Sequence, residues 1–312
     1  MQIKTHIVHF FEHLYYRPEW YHWIVALALL PLSLLYGSIM WIRRRIAVRK
    51  DYDIPIISVG NLLVGGSGKT PMTIALAKRF DKPAVVLRGY GRKSRGMVVV
   101  SQWGEIKTDV ETSGDEAMLL ALSLPNATVI VSEDRKKAIE ESKSLGAEIV
   151  FLDDGFSKVD IEKFEILLFP RSIPNILPFP SGPFREFPFE KRSADLLLTE
   201  GKDFERIVTC KGCDEPMLLV TAIANPARLE PFLPRELVKE RLILPDHAWF
   251  DKGAIEKKMA KAGVGKILTT EKDAVKLERF GFSMAILKLE LKLEPAIAER
   301  VADFMQNYRN IR

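Results

Sequence analysis

One glycine cluster followed by Lys-Thr is the stretch of this chain best suited to bind phosphate. An apolar run at residues 55–59 leads into it, and a helical pattern at residues 72–80 leads out of it. Successive backbone N–H groups in such a loop point at one anion, and the helix N-terminus adds partial positive charge. We therefore predict a nucleotide phosphate loop formed by Leu63, Val64, Gly65, Gly66, Ser67, Gly68, Lys69 and Thr70.

The predicted loop departs from the strict G-x-x-x-x-G-K-[ST] pattern at one position, because Leu63 stands where that pattern has its first glycine. The remaining Gly-Gly-x-Gly-Lys-Thr core is intact. In such loops Lys69 reaches the outer phosphates, and the Thr70 hydroxyl holds Mg²⁺. The alternative is a glycine-rich turn with a solvated lysine, but the order of strand, loop and helix favours the phosphate loop.

Two adjacent carboxylates, Asp153 and Asp154, close an apolar run that begins at residue 149. A buried parallel strand ends at the carboxyl edge of its sheet, where ligands of α/β proteins bind. Carboxylates at that edge can hold Mg²⁺ directly or through water. The alternative is a simple turn, since Asp-Asp-Gly is also favourable turn chemistry.

Asp115 and His247 are two further candidates for acid–base chemistry. Asp115 opens an apolar helical pattern, where an acidic residue usually caps the helix, so capping and catalysis both remain open. His247 follows an aspartate and precedes two aromatic residues; it is either a packed histidine or an acid–base or stacking group. The basic, glycine-rich stretch at residues 88–96 either binds phosphate or is a solvated loop.

The elements that position these residues alternate between strand and helix. This alternation predicts an α/β fold, a P-loop NTPase-like mostly parallel sheet with helices on both faces. A polar, turn-rich stretch at residues 202–215 indicates a boundary before a smaller C-terminal α/β lobe. We predict a membrane-associating segment, a P-loop core and this lobe over residues 1–50, 51–200 and 201–312.

The N-terminal segment contains an uncharged apolar run over residues 20–42, with Trp and Tyr at its edges and three arginines directly after it. About 20 apolar residues suffice to cross a bilayer as a helix. We predict a membrane-associated helix, either spanning the bilayer or lying in its interface. A buried core helix is the remaining alternative.

Composition limits the class of protein. The chain has 312 residues, of which 47% are hydrophobic and 28% charged, which is typical of a globular protein. Seven basic and two acidic residues within positions 1–50 account for the net charge of +5, so the rest of the chain is balanced. We therefore predict no nucleic-acid partner. The two cysteines, Cys210 and Cys213, do not make a disulfide framework, which fits a reducing cytosol. We expect two thiols in an inert turn, with a redox pair or half of a zinc site as the alternatives.

Several stretches taken together resemble the lipid A 4′-kinase family, the tetraacyldisaccharide 4′-kinases of Gram-negative bacteria. They occur in the family's order, and the displaced glycine of the phosphate loop is the family's own form. The string Leu-Thr-Thr-Glu-Lys-Asp-Ala-Val-Lys-Leu at the end is unusually specific. The matching segments are residues 30–37, 59–62, 65–71, 88–91, 114–116, 152–156, 180–186, 245–247 and 268–277.

The resemblance implies an ATP-dependent kinase that phosphorylates the 4′-hydroxyl of a tetraacyldisaccharide 1-phosphate. In this family Asp115 would be the catalytic base and His247 its partner. Asp153 and Asp154 would lie near Mg²⁺, with Glu186 close by.

The resemblance also implies a location and partners. The enzyme would act at the cytoplasmic face of the bacterial inner membrane, with the lipid A precursor and inner-membrane lipids as partners and no obligatory protein partner. The alternative function is that of a membrane-associated partitioning-type P-loop ATPase. Those proteins carry a signature lysine where this chain has Val64.

Overall fold

The computed structural model describes residues 2–65 and 68–310, apart from the side chains of residues 2–6, 8, 9 and 309. The chain forms two compact units. The first comprises Met1–Lys69, Asp154–Phe204 and Pro295–Arg312, and the second comprises Thr70–Asp153 and Glu205–Glu294. The chain thus passes between the units directly after Lys69 and directly after Asp153. The sequence-based division at residues 50 and 200 stays a prediction.

Helices and strands alternate along most of the described chain. The α-helices are α1 (Gln2–Tyr16), α2 (Trp20–Ile46), α3 (Lys69–Ala77), α4 (Val110–Ser113), α5 (Asp115–Ser123), α6 (Arg135–Ser144), α7 (Lys252–Ala262), α8 (Glu271–Leu277) and α9 (Pro295–Asn310). The strands are β1 (Ile56–Gly60), β2 (Pro83–Leu87), β3 (Val98–Gln102), β4 (Glu105–Ile106), β5 (Thr128–Val131), β6 (Ile149–Asp153), β7 (Phe164–Phe169), β8 (Leu196–Thr199), β9 (Phe204–Lys211), β10 (Met217–Thr221), β11 (Val238–Ile243), β12 (Lys266–Thr270) and β13 (Ser283–Leu293).

In the first unit, β1, β7 and β8 are hydrogen-bonded in that order, and both pairs are parallel. Every residue of β1 is buried, as expected for a parallel strand covered on both faces. Gly60 at its end has no room for a side chain, because a Cβ there would lie 2.6 Å from the Cβ of Phe156. The sequence therefore needs glycine where β1 enters the phosphate loop.

The second unit contains two groups of strands. In one, the order is β4-β3-β5-β2-β6; β2 is parallel to β5 and β6, whereas β3 is antiparallel to β5. The other is a five-stranded sheet in the order β11-β10-β12-β13-β9, in which β10, β11, β12 and β13 pair in parallel. The prediction of an α/β fold with mostly parallel sheets and a smaller α/β lobe is confirmed.

The five-stranded sheet is held to its helices by an apolar core that fixes α8. Its buried members include Leu218 and Val220 on β10, Ile255 on α7, Ile267 on β12 and Leu277 at the end of α8. Burying a side chain of this kind stabilises the fold by about 1.5–3 kcal/mol. This core therefore fixes the position of α8, which carries Lys272 and Lys276.

Residues 202–215, predicted as a polar, turn-rich boundary, contain strand β9, whose residues alternate between more and less buried positions. The stretch is therefore largely a half-buried strand rather than a run of turns. The chain passes from the first unit to the second within it, after Phe204, and the boundary before a C-terminal lobe stays a prediction. Cys210 and Cys213, expected as two thiols, form a disulfide-bonded pair whose Cα atoms are 5.9 Å apart.

The predicted apolar N-terminal helix is confirmed as α2. Among the described residues, α2 is the one helix that is both long enough and apolar enough to cross a membrane. Of its apolar 18-residue stretch, 17% is buried. Small and polar residues form its buried side: His22, Ala26, Ser33, Gly37 and Arg44. The Ser33 hydroxyl lies 2.7 Å from that of Ser181 in the first unit.

Candidate functional site

The phosphate loop begins where β1 ends and runs to the start of α3. Gly65 and Gly68 have φ angles of 104° and 86°, which are readily accessible only to glycine. The predicted residues Gly66 and Ser67 lie outside the described residues. The prediction of strand, turn and helix in this order is therefore matched by the described part of the loop.

Leu63 and Val64 serve mainly to attach the loop to its own unit. Leu63 is buried and packs against Phe184 in an apolar cluster. The Val64 N–H donates to the carbonyl of Pro183 at 2.9 Å, and the Val64 carbonyl accepts a hydrogen bond from the Tyr16 hydroxyl. The role of Leu63 and Val64 in nucleotide binding stays a prediction. The packing of Leu63 explains why an apolar residue is suitable where the strict pattern has glycine.

Lys69 is held by groups of the first unit. Its Nζ lies 3.3 Å from Asn61 Oδ1 and 3.8 Å from Asp154 Oδ1. Asp154 also accepts from Arg185 Nη1 at 3.2 Å, and its φ of 56° places it in the left-handed region. Asp154 thus lies beside two cations, one of which is the lysine predicted to reach phosphate.

Asp153 and Thr70 come together in the second unit. Asp153 is 4% exposed at the end of β6 and accepts from the Thr70 hydroxyl at 2.8 Å. The Thr73 hydroxyl lies 3.4 Å from its other oxygen. Carboxylate and hydroxyl oxygens are the hard donors that Mg²⁺ prefers, so these residues suit that ion. Within the described residues there is no group of three or more His, Cys, Asp or Glu able to hold a metal alone.

Glu186 is engaged in a buried ion pair of the first unit. Its two carboxylate oxygens accept from Arg44 Nε at 2.8 Å and Arg44 Nη2 at 2.9 Å. Both side chains are almost fully buried. This bidentate pair attaches the end of α2 to the segment around residue 186. The predicted place of Glu186 near a metal stays a prediction.

Asp115 and His247, which are 132 residues apart in sequence, are in direct contact in the second unit. His247 Nδ1 lies 2.9 Å from Asp115 Oδ1 and 3.1 Å from Asp115 Oδ2. An ionised carboxylate only accepts hydrogen bonds, so Nδ1 carries the proton and donates it to Asp115. The backbone N–H of Glu116 donates to the same carboxylate at 2.9 Å, because Asp115 is the first residue of α5.

Two lysines of α8 complete the charge arrangement. Lys276 Nζ donates to Asp115 Oδ2 at 3.0 Å. Lys272 Nζ lies 3.4 Å from His247 Nε2 and forms ion pairs with Glu116 and Asp246 at 3.3 and 3.5 Å. The dyad therefore has one cation on the aspartate side and one on the histidine side.

These contacts determine the proton affinities of the dyad. Burial alone would raise the pKa of Asp115, but the hydrogen bond from His247 and the charges of Lys272 and Lys276 outweigh it, so the pKa lies well below its ordinary value. Burial alone would lower the pKa of His247, but the hydrogen bond to Asp115 outweighs it and raises that pKa above 6.5. Asp115 is thus ionised, and its hydrogen bond favours the protonated form of His247.

Glycines bring the basic stretch at residues 88–96 close to the dyad. A Cβ on Gly91 would lie 3.2 Å from the Cβ of His247, and the ring of Tyr90 is 5.1 Å from that of His247. Arg92 is bound to Glu133 at 2.6 Å and its side chain is buried. Most of the stretch is exposed, with Tyr90 and Gly91 beside His247, so binding of phosphate by this stretch stays a prediction.

Comparison with known proteins decides the family. A family model described as tetraacyldisaccharide-1-P 4′-kinase matches residues 25–211 and 208–306, which is most of the chain. The chain belongs to the tetraacyldisaccharide 4′-kinase family.

Relatives in this kinase family match nearly the whole chain. The tetraacyldisaccharide 4′-kinase of Helicobacter pylori (strain HPAG1) is 44% identical over 96% of this chain and 96% of its own length. That of Aliarcobacter butzleri (strain RM4018) is 46% identical over 94% of this chain and 95% of its own length. A crystal structure of LpxK from Aquifex aeolicus in complex with ATP superposes with a TM-score of 0.77 at 29% identity, covering 91% of this chain and 99% of that one.

Sequence reasoning found both members of the kinase's proposed dyad but missed the two lysines beside it. Lys272 and Lys276 belong to the specific string at residues 268–277, which supported the family resemblance but to which no site residue was assigned. Two lysines four residues apart lie on the same face of a helix, and this spacing was the available signal.

Proposed function

We propose that this protein transfers the γ-phosphate of ATP to the 4′-hydroxyl of a tetraacyldisaccharide 1-phosphate, a lipid A precursor, to give lipid IVA. Family membership over nearly the whole chain supports the reaction. The observation that carries the mechanism is the buried Asp115–His247 pair with its two lysines. A partitioning-type ATPase, the alternative, is not supported by any of the relatives described above.

The proposed chemical step is a direct transfer. The acceptor oxygen forms a bond to the γ-phosphorus while the bond from phosphorus to the bridging oxygen breaks and ADP leaves. Asp115 accepts the hydroxyl proton, and His247, hydrogen-bonded to the same carboxylate, orients Asp115 and tunes its pKa. Lys69 would attract the outer phosphates of ATP and thereby orient the γ-phosphate.

We propose Thr70, Asp153 and Asp154 as the residues that would hold Mg²⁺. The Thr70 hydroxyl donates a hydrogen bond to Asp153, so the oxygen atoms of these two residues lie together. Asp154 presents a half-exposed carboxylate beside Lys69. When bound, the ion supplies positive charge that offsets the charge of the phosphate oxygens. Glu186 remains a prediction from the family resemblance, since its described hydrogen bonds are to Arg44.

We propose that α2 binds the cytoplasmic face of the bacterial inner membrane while remaining attached to the first unit. Its exposed apolar residues include Trp20, Ile24, Leu27 and Leu35. Ser33 and Arg44 on its opposite side are bonded to Ser181 and Glu186. A helix fixed along one side and apolar on the other is suited to lie in the membrane interface. Such attachment would bring the enzyme to an acceptor whose acyl chains stay in the bilayer.

The test of the proposed reaction is ATP consumption with and without the acceptor. We expect the purified chain with Mg²⁺ to consume ATP only when tetraacyldisaccharide 1-phosphate is present in mixed micelles, one ATP for each lipid phosphorylated. ATP turnover that is unchanged by the acceptor would favour the partitioning-type ATPase instead.

A further inference from the structure

Lys276 is a buried cation whose hydrogen bonds go to both halves of the proposed dyad site. It is 1% exposed on α8. Its Nζ donates to Asp115 Oδ2 at 3.0 Å and to the carbonyl of Ala248 at 3.1 Å. Removing an ammonium group from water is costly unless it is paired and hydrogen-bonded, so a lysine in this position requires these partners.

The two partners of Lys276 belong to different segments. Asp115 starts α5, whereas Ala248 follows His247 in the turn after β11. That turn is also held by a hydrogen bond from the His247 N–H to the carbonyl of Ala222 at 3.1 Å, and His247 has a φ of 59°. One side chain on a helix fixed by an apolar core therefore joins the aspartate to the backbone beside the histidine.

We propose that Lys276 is a positioning residue for phosphoryl transfer, which binds the Asp115 carboxylate and holds the turn that carries His247 in contact with it. This inference rests on the proposed function, because it assigns Lys276 a role in the same reaction. Lys276 itself contacts neither substrate; it acts through Asp115 and the Ala248 carbonyl.

Charged and polar groups from several elements face the dyad. Asp115 faces His247, Lys276, Lys272 and the Glu116 N–H. His247 faces Asp115, Lys272, Asp246 and the ring of Tyr90. Lys272 is shared between two other carboxylates, those of Glu116 and Asp246.

A second carboxylate, that of Asp273, also lies near Lys276. Asp273 lies 3.8 Å from Lys276 Nζ, and one of its oxygens accepts from Thr221, Ala222 and Thr270. Loss of the Lys276 charge therefore removes one cation from beside the dyad, and both members of the dyad then bind protons more tightly.

The experiment compares Lys276→Met with Lys276→Arg in the full-length protein. The first keeps a similar shape without charge, and the second keeps the charge. We measure kcat/KM for tetraacyldisaccharide 1-phosphate in mixed micelles from pH 5.5 to 9, together with KM for ATP. We expect Lys276→Met to lower kcat/KM at pH 7 by about tenfold to a hundredfold, as misplacement of reacting groups does.

The pH profile separates positioning from a merely structural role. In Lys276→Met the acid limb of the profile should move to higher pH, because loss of a cation beside the coupled Asp115–His247 pair makes the pair bind protons more tightly. In Lys276→Arg the acid limb should stay near that of the wild type, and KM for ATP should change little in either variant. If Lys276→Met does not fold, Lys276→Gln, which also lacks the charge, provides the same comparison.

Lys163→Met is the matched control. Lys163 is also a buried lysine, paired with Glu165 at 2.8 Å, so its replacement tests the general effect of removing a buried ion pair. We expect no shift of its acid limb. An unshifted acid limb in Lys276→Met, or the same shift in Lys276→Arg, would overturn the inference while wild-type transfer still stood. Absence of transfer by the wild type would instead reject the proposed function.

Discussion

Asp115 shows how one residue can be buried and charged at the same time. It is 4% exposed, yet His247, Lys276 and the Glu116 N–H all donate to its carboxylate. These donors favour the ionised form more than burial disfavours it. At the residue scale the proposed base is therefore always ready to accept a hydrogen bond from a hydroxyl group, and the pH response of the site belongs to the pair rather than to Asp115 alone.

Replacement of Asp115 should separate transfer from nucleotide binding. We expect Asp115→Asn to lower transfer by about 10²–10⁴-fold, the usual contribution of a general base, with little change in ATP affinity. Lys69→Ala, the comparison variant, should weaken both. Labelled-phosphate transfer and calorimetric nucleotide titration measure the two effects. Near-normal transfer by Asp115→Asn would show that the base is another residue.

The raised pKa of His247 predicts how stability depends on pH. The folded state binds the His247 proton more tightly than the unfolded state does, since the folded pKa lies above 6.5. The contribution to stability is therefore full below pH 6.5 and is lost as pH rises through the folded pKa.

We test this dependence with His247→Asn, because asparagine tolerates the left-handed backbone at this position. The difference in melting temperature between wild type and variant should be larger at pH 5.5 than at pH 8.5. A difference that is constant, or larger at the higher pH, would contradict the assigned direction of the pKa shift.

At the scale of elements, α2 combines two faces with different tasks. Its buried side consists of small and polar residues that bond to the first unit, and its exposed side is apolar. Arg44, one of three consecutive arginines, is 8% exposed and paired with Glu186, so it is not available to lipid headgroups. The basic flank is therefore only partly a membrane anchor, and apolar contact should provide most of the binding.

This division of faces predicts which α2 substitutions affect membrane binding. Leu27 and Leu34 are 69% and 49% exposed. Leu27→Glu with Leu34→Glu should reduce binding to phosphatidylethanolamine–phosphatidylglycerol vesicles by at least about tenfold. The favourable burial of the two leucine side chains in the membrane is lost when each is replaced by a charged group. Ile207→Glu, on exposed strand β9, is the control and should bind normally. Vesicle sedimentation measures both, and equal binding by all three proteins would refute a membrane role for α2.

Much of the site could be predicted from sequence because it depends on local patterns. The strand–loop–helix order around Lys69 and the apolar run ending at Asp153 each lie within a few neighbouring residues. Asp115 was ambiguous because an acidic helix start is the same pattern whether it caps or catalyses. Only its contact with His247, 132 residues away in sequence, distinguishes the two.

Tertiary contacts explain the features that sequence could not provide. The pattern at residues 268–277 shows a helix start, but not that Lys276 reaches Asp115 across 161 positions. The segment containing β9 was predicted to be turn-rich because of its polar composition, whereas it forms an edge strand whose side chains alternate between more and less exposed positions. In both cases the information lies in the neighbouring element and not in the segment itself.

At the scale of the whole molecule, the two compact units divide the proposed machinery along the chain. The first unit contains Lys69 and Asp154, and the second contains Thr70, Asp153 and the Asp115–His247 pair. Helix α2, which we propose binds the membrane, belongs to the first unit. We therefore propose that residues of both units serve a single phosphoryl-transfer reaction.

The most direct test of that claim is to follow the phosphate itself. The purified full-length chain is incubated with γ-labelled ATP, Mg²⁺ and tetraacyldisaccharide 1-phosphate, and the lipid product is separated and its phosphate position determined. We predict a labelled bisphosphorylated lipid carrying the new phosphate at the 4′ position. Unlabelled lipid, or a label at any other position, would contradict the account.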